Sequence, residues 1–196
     1  MANYRGRGDN LRPSAFKKWF NKNFRHWYPL LGKSVDDPTP PHEGPTMRPS
    51  KIANYMDMAE VVSKRSHDAE TKVGAVLVND NSGAILATGF NGFVRGAVDT
   101  ALPCYRPLKY EFILHAEDNL IANCARHGIS MENCTLVCTM SPCKHCMRMM
   151  INCGITKVVV KELYKDFEDI MRMPDVKVTM EKKDDGYYYI EYKVGT

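Results

Sequence analysis

Two stretches, "ILHAEDNLIANCARHG" at 113–128 and "TMSPCKHCMRMMINCG" at 139–154, decide how this chain is read. Each has the composition of a helix closed by glycine, Gly128 in one and Gly154 in the other. The first carries His115, Ala116 and Glu117 at its start. The second opens at Pro142 after Ser141, a cap followed by a first turn, and carries Cys143 and Cys146. Either these are ordinary polar residues at two helix ends, or one imidazole and two thiols meet around a metal with a carboxylate beside them. Between them "CTLVCT" (134–139) reads as a short buried strand, and "TKVVV" (156–160) as another. Helix, strand, helix, strand in that order implies parallel pairing and helices covering a mixed sheet.

Upstream, "KIANYMDMAEVVSKRS" (51–66) places Ile52, Tyr55, Met56, Ala59 and Val62 on one helical face. "KVGAVLVND" and "AILATGFN", joined by "NSG", predict a hairpin. A long loop follows through "GFVRGAVDTALPCYRPLKY" (92–110). The first key helix is then expected over about 113–127 and the second over 142–153. Downstream, "ELYKDFEDIMRM" predicts a further helix, and "VKVTM" and "YYYIEYKV" predict two strands joined by an Asp-Gly turn. The expectation is an α/β domain of three layers over residues 50–196, preceded by an arm over 1–49. That arm is basic, aromatic and then proline-rich, with Phe16, Trp19, Phe20 and Phe24 at helical spacing. Such a segment can grip nucleic acid, pack on a neighbouring subunit or stay unstructured, and the sequence leaves all three open.

The totals exclude several classes. The chain has 196 residues, 44% hydrophobic and 26% charged, as in globular proteins. No apolar run approaches the roughly 18 residues of a membrane helix, and the basic start lacks a signal peptide's apolar core. The seven cysteines all lie from Cys104 onward and are odd in number. They read as reduced thiols rather than a disulfide framework, and a cytoplasmic place is expected. The net charge of +4 is unevenly spread: residues 1–50 hold nine Lys and Arg against four Asp and Glu, and the remainder eighteen against nineteen. The basic excess belongs to the arm.

A catalytic zinc takes three protein ligands and keeps a fourth position for water. His115, Cys143 and Cys146 supply that number and type. Thiols three residues apart at a helix start can point to one side, where helix dipole and metal both favour thiolate. Glu117 stands two residues from His115 and need not be a ligand to accept a proton from activated water. Activated water with a proton shuttle suits hydrolytic removal of an amino group from a heterocycle.

His-x-Glu followed by Pro-Cys-x-x-Cys is a signature of zinc nucleobase deaminases. In "HAE" and "SPCKHC" the sequence resembles the cytidine and deoxycytidylate deaminase superfamily, over roughly residues 51–170. The resemblance implies a cytidine-deaminase-like fold, zinc on His115, Cys143 and Cys146, and Glu117 as proton shuttle. "ATGFNGFVRG" resembles the Gly-aromatic-Asn-Gly loop of deoxycytidylate deaminases, which implies a substrate contact at Asn91; the family has proline where this chain has Val94. Tyr164 falls where the family has a substrate-contacting tyrosine. Asn91 is equally a residue that turns accept, and Tyr164 could simply pack under a helix. Arg106, Lys109 and Lys72 are candidate partners for a phosphate. A second metal on His67 and Cys104 also stays open.

The implied activity is deamination of deoxycytidine monophosphate (dCMP) to deoxyuridine monophosphate (dUMP), in the supply of thymidylate. The resemblance further implies a homo-oligomer, often a hexamer, with possible control by deoxycytidine and thymidine triphosphates (dCTP and dTTP). The rivals are a deaminase of single-stranded DNA or RNA that uses the arm as its grip, and a catalytically silent zinc protein that senses a nucleotide. Glu117 argues against the second, since a sensor needs no proton shuttle.

Overall fold

The computed structural model describes Lys22 and residues 48–165, 167–172, 174 and 176–194. The arm helix expected around Phe16, Trp19, Phe20 and Phe24 lies outside the described residues. From Lys51 the elements run α1 (Lys51–Ser63), β1 (Gly74–Asn79), β2 (Ile85–Phe90), α2 (Ala116–His127), β3 (Cys134–Met140), α3 (Lys144–Asn152), β4 (Lys157–Glu162), α4 (Phe167–Met171), β5 (Val176–Lys182) and β6 (Tyr188–Val194). The six strands form one mixed sheet in the order β2-β1-β3-β4-β6-β5. Only the β3–β4 pairing is parallel, with Val137 opposite Val159; the other neighbours are antiparallel.

Strand alternation explains the apolar runs. Val76 and Val78 of β1 join Val137, Val159 and the α1 residues Tyr55, Met56 and Ala59 on one face. Ala75 and Leu77 join Leu120, Leu136, Met147, Met150 and Val158 on the other. A strand covered on both faces has no reason to alternate with polar residues, so "GAVLV" and "CTLVC" read as unbroken apolar segments. Three layers result, with α1 on one face and α2 and α3 on the other.

The edge strand β2 is covered from within. Asn119 Nδ2 donates to Phe90 O at 2.9 Å and Asn123 Nδ2 to Thr88 O at 3.1 Å, so two side chains of α2 occupy edge carbonyls. Gly89 makes that approach possible: a β-carbon there would overlap Ala116 O and stand 2.7 Å from Leu120 N. This glycine lets the start of α2, with its functional residues, seat directly on the sheet.

Several element boundaries differ from the sequence expectation. α2 begins at Ala116 rather than Ile113, because Leu114 is extended and exchanges two backbone hydrogen bonds with Gly92, at 2.9 and 3.1 Å. α3 begins at Lys144 rather than Pro142. Its cap is Cys143, whose Sγ accepts from the Cys146 N–H at 3.5 Å. Ser141 does not cap it, since its hydroxyl accepts from the Tyr164 N–H at 2.7 Å. The last helix is shorter than expected because β4 continues to Glu162, paired with Met140. Gly128 closes α2 as expected, in the left-handed conformation with φ 65°.

Candidate active site

The starts of α2 and α3 meet at the carboxyl end of β3. His115 is the N-cap of α2 and Cys143 the N-cap of α3. His115 Nδ1 stands 3.5 Å from Cys143 Sγ and 3.3 Å from Cys146 Sγ, and the two sulfurs are 3.6 Å apart. A tetrahedral zinc with ordinary Zn–S and Zn–N bonds needs ligand edges of roughly 3.5–3.8 Å, so this triangle fits the ion with little adjustment. Three ligands, two of them sulfur, leave one position free, as in catalytic sites. Among the described residues this is the one cluster of three His, Cys, Asp or Glu groups close enough to hold a metal.

The three groups share protons when no metal holds them. The Cys146 thiol and the His115 imidazole hydrogen-bond to Cys143 and push its pKa down to about 3, against the effect of burial. The hydrogen bond to Cys143 lifts His115 to about 9. Cys146, as hydrogen-bond donor to Cys143 and buried, is shifted upward. Zinc must therefore displace protons when it binds.

Glu117 is 4% exposed and points into the same cavity from the first turn of α2. Burial pushes its carboxyl up to about 7, opposed by its backbone hydrogen bond and by His115. A carboxyl poised near neutrality can both take and return a proton.

An open cavity lies beside these groups. Its wall brings His115, Cys143 and Glu117 together with Asn91 and Tyr164. Asn91 is buried, and its amide is engaged with Val73, Asp68 and Thr71. Tyr164 is half-buried, anchored through its backbone to Ser141.

The three candidate phosphate partners differ in their surroundings. Lys109 is buried against Asp68 at 2.7 Å and Glu70 at 3.2 Å. Lys72 donates to Ser66 O at 2.9 Å. Arg106 is exposed and lines the cavity, with Nε donating to Tyr110 Oη at 2.8 Å, Nη2 to Thr71 Oγ1 at 3.1 Å and Nη1 3.5 Å from Glu70 Oε1. The idea of a second metal gains nothing here: His67 Nε2 pairs with Asp99 at 2.8 Å, and no metal-sized cluster includes Cys104 among the described residues. His127 is exposed at the end of α2 and belongs to no metal-sized cluster among the described residues.

Asp68, Thr71 and Tyr110 also line the cavity, and sequence reasoning missed them. A weak signal existed for Asp68: with Glu70 it places two acids in the short loop between α1 and β1. Nothing in the sequence says that a lysine 41 positions later answers them.

A model of the cytidine and deoxycytidylate deaminase zinc-binding region matches residues 49–162. The chain belongs to this family. Among its relatives, an uncharacterised deaminase encoded in the luxG 3′ region of Aliivibrio fischeri is 39% identical over 113 residues, 58% of this chain and 74% of that protein. The deoxycytidylate deaminase of Mus musculus is 31% identical over 122 residues, 59% of this chain and 67% of that protein. The crystal structure of dCMP deaminase from the cyanophage S-TIM5 is 33% identical and aligns with a TM-score of 0.53, over 64% of this chain and 94% of that one. The same phage enzyme was also solved in complex with dCMP and dUMP, aligning with a TM-score of 0.52. Zinc is thus the family's metal, and His115, Cys143 and Cys146 form the cluster able to hold it in this deaminase domain.

Proposed function

We propose that this deaminase hydrolyses dCMP to dUMP and ammonia, contributing to thymidylate supply. The observation that carries the reading is a single cavity in which His115 and Cys143 of the metal triad and the buried Glu117 carboxyl share a wall with the Asn91 amide, the Tyr164 phenol and the exposed Arg106 guanidinium. The phage relative solved with dCMP and dUMP supports the same substrate.

In this reading His115, Cys143 and Cys146 hold zinc, which supplies Lewis acidity that makes water nucleophilic near neutral pH. Glu117 takes the proton that water gives up as it adds to carbon 4 of the pyrimidine. Its carboxyl then passes that proton to ring nitrogen 3, takes the second proton from the carbon-4 hydroxyl as the carbonyl forms, and delivers it to the amine, which leaves as ammonia. Burial serves this role: a carboxyl with its pKa near 7 loses little energy in either direction of transfer. Asn91 and Tyr164 contact the nucleotide. Arg106 faces the 5′-phosphate, since it lines the cavity with an exposed guanidinium, whereas Lys109 is buried in an ion pair and Lys72 is not part of the lining.

Residues 50–196 are the catalytic domain in this reading and 1–49 an arm. No described helix is long and apolar enough to cross a membrane, and a cytoplasmic setting belongs to the proposal. So do a homo-oligomer, with six subunits as the resemblance implies, and control by dCTP and dTTP. Val98, Tyr105, Leu108 and Tyr110 are each more than half exposed in the loop beside the cavity, a surface suited to a subunit contact. Gel filtration with light scattering, with and without the two triphosphates, reads the assembly.

Ammonia release from dCMP, cytidine monophosphate, dCTP and single-stranded DNA, measured in parallel, tests the substrate. Turnover of the deoxy monophosphate ahead of the others supports the reading. Activity on the strand alone would replace it with a nucleic-acid deaminase.

A further inference from the structure

Lys109 is 3% exposed, the only lysine among the described residues that is buried. An ammonium leaves water at high cost unless it is paired, and here the pairing is complete. Nζ donates to Asp68 Oδ1 at 2.8 Å and to Oδ2 at 2.7 Å, and lies 3.2 Å from Glu70. Asp68 Oδ1 also accepts the N–H groups of Glu70 and Thr71, at 2.8 and 2.9 Å. Its Oδ2 accepts from Asn91 Nδ2 at 3.2 Å.

These contacts decide what Asn91 can offer a ligand. Its Nδ2 is used up, since the second hydrogen goes to Thr71 O at 2.8 Å. Its Oδ1 accepts from the Val73 N–H at 2.8 Å. The amide cannot be turned over, because a backbone N–H only donates while a carboxylate and a carbonyl only accept. One lone pair on Oδ1 is all that is left. Lys109 also bolts the segment leading to His115: its carbonyl accepts the Ile113 N–H at 2.9 Å.

We propose that Asp68 and Lys109 are positioning residues of the substrate site: the buried pair locks the Asn91 amide so that it presents only an acceptor, matched to a hydroxyl on the nucleotide sugar. The pyrimidine amine must face the metal triad and Glu117, so the sugar hydroxyl is the donor left for Asn91. This inference rests on the proposed nucleotide substrate. Neither member of the pair touches the reacting atoms; both act through Asn91.

The test uses Lys109→Met, Asp68→Asn and the double variant in the full chain, with zinc content, melting temperature, and KM and kcat on dCMP and on 2′,3′-dideoxycytidine monophosphate. Zinc is expected to stay at one per chain. KM for dCMP rises roughly tenfold with kcat within about threefold. KM for the dideoxy nucleotide, already weak with the wild type, changes little. The double variant recovers the melting temperature lost by the singles, because no lone buried charge remains, yet keeps the raised KM. If KM rises equally for both nucleotides, or stays unchanged while only stability falls, the pair is merely structural and the inference fails. Should Lys109→Met not fold, Lys109→Arg retains the charge and is expected to show the same selective rise. If the wild type turns over no dCMP, the functional reading fails; calorimetry with dUMP and its dideoxy analogue then decides the positioning role by the same selectivity.

Discussion

The two walls of the cavity are built in opposite ways. The metal wall draws its ligands from two helix starts, with Cys143 and Cys146 three residues apart and His115 capping the neighbouring helix. The opposite wall is assembled across long separations: Asp68 meets Lys109 over 41 positions and Asn91 over 23. One wall is specified by local spacing and helix geometry, the other by charges that find each other only once the chain has folded. On the proposed function, chemistry is concentrated in the first and substrate fit in the second, so the two walls should fail differently when altered.

The largest effect is expected at the metal wall. Cys146→Ala removes a buried ligand and leaves two, so zinc content should fall to near zero and activity with it, by roughly a thousandfold or more. Metal analysis of the purified variant beside its turnover checks this. A variant that keeps stoichiometric zinc would break the assignment of that wall.

Next comes the scaffold behind both walls. Gly89→Ala puts a methyl group into the backbone of α2 at Ala116 and Leu120, which cannot move without displacing His115 and Glu117. A loss of about 2–4 kcal/mol is expected, read by denaturant unfolding, along with weaker zinc binding. Full stability in this variant would mean that α2 does not seat on β2 as described.

Proton competition sharpens the comparison. With His115 lifted to about 9 by its hydrogen bond to Cys143, the metal-free imidazole carries a proton at neutral pH. Zinc must displace it, so apparent affinity should fall as pH drops from 8 to 6 and recover on return. A chelator competition series measures it. A pH-independent affinity would contradict the shared-proton picture of the triad.

The smallest effect belongs to Tyr164→Phe. The phenol lines the cavity while its backbone is held by Ser141, so the ring should stay in place. KM is expected to rise only about two- to fivefold with kcat nearly unchanged.

The same contrast explains what was legible in the sequence. The six strands and the helices around them could be read because unbroken β-branched runs and 3.6-residue periodicity are local signals. His115, Cys143 and Cys146 stood out for the same reason, and the structure brings them together. Boundaries were less legible: Pro142 looks like a first helical turn, yet the Cys143 sulfur takes the capping role and Ser141 is claimed by Tyr164. The pairing of Lys109 with Asp68 was not legible at all. A lysine in "RPLKY" has every local reason to be solvent-exposed, and only the folded loop surrounds it with two carboxylates.

The central claim is that a zinc triad and a separate buried carboxyl divide the work of deamination. It is tested most directly by Glu117→Gln, an isosteric change that removes the proton shuttle and leaves the three ligands untouched. Zinc content and ammonia release from dCMP would be measured on the same preparation as the wild type. The account expects one zinc per chain in both proteins and turnover lower by about 10²–10⁴-fold in the variant. Turnover within a few-fold of wild type, with zinc retained, would contradict it and remove Glu117 from the reaction.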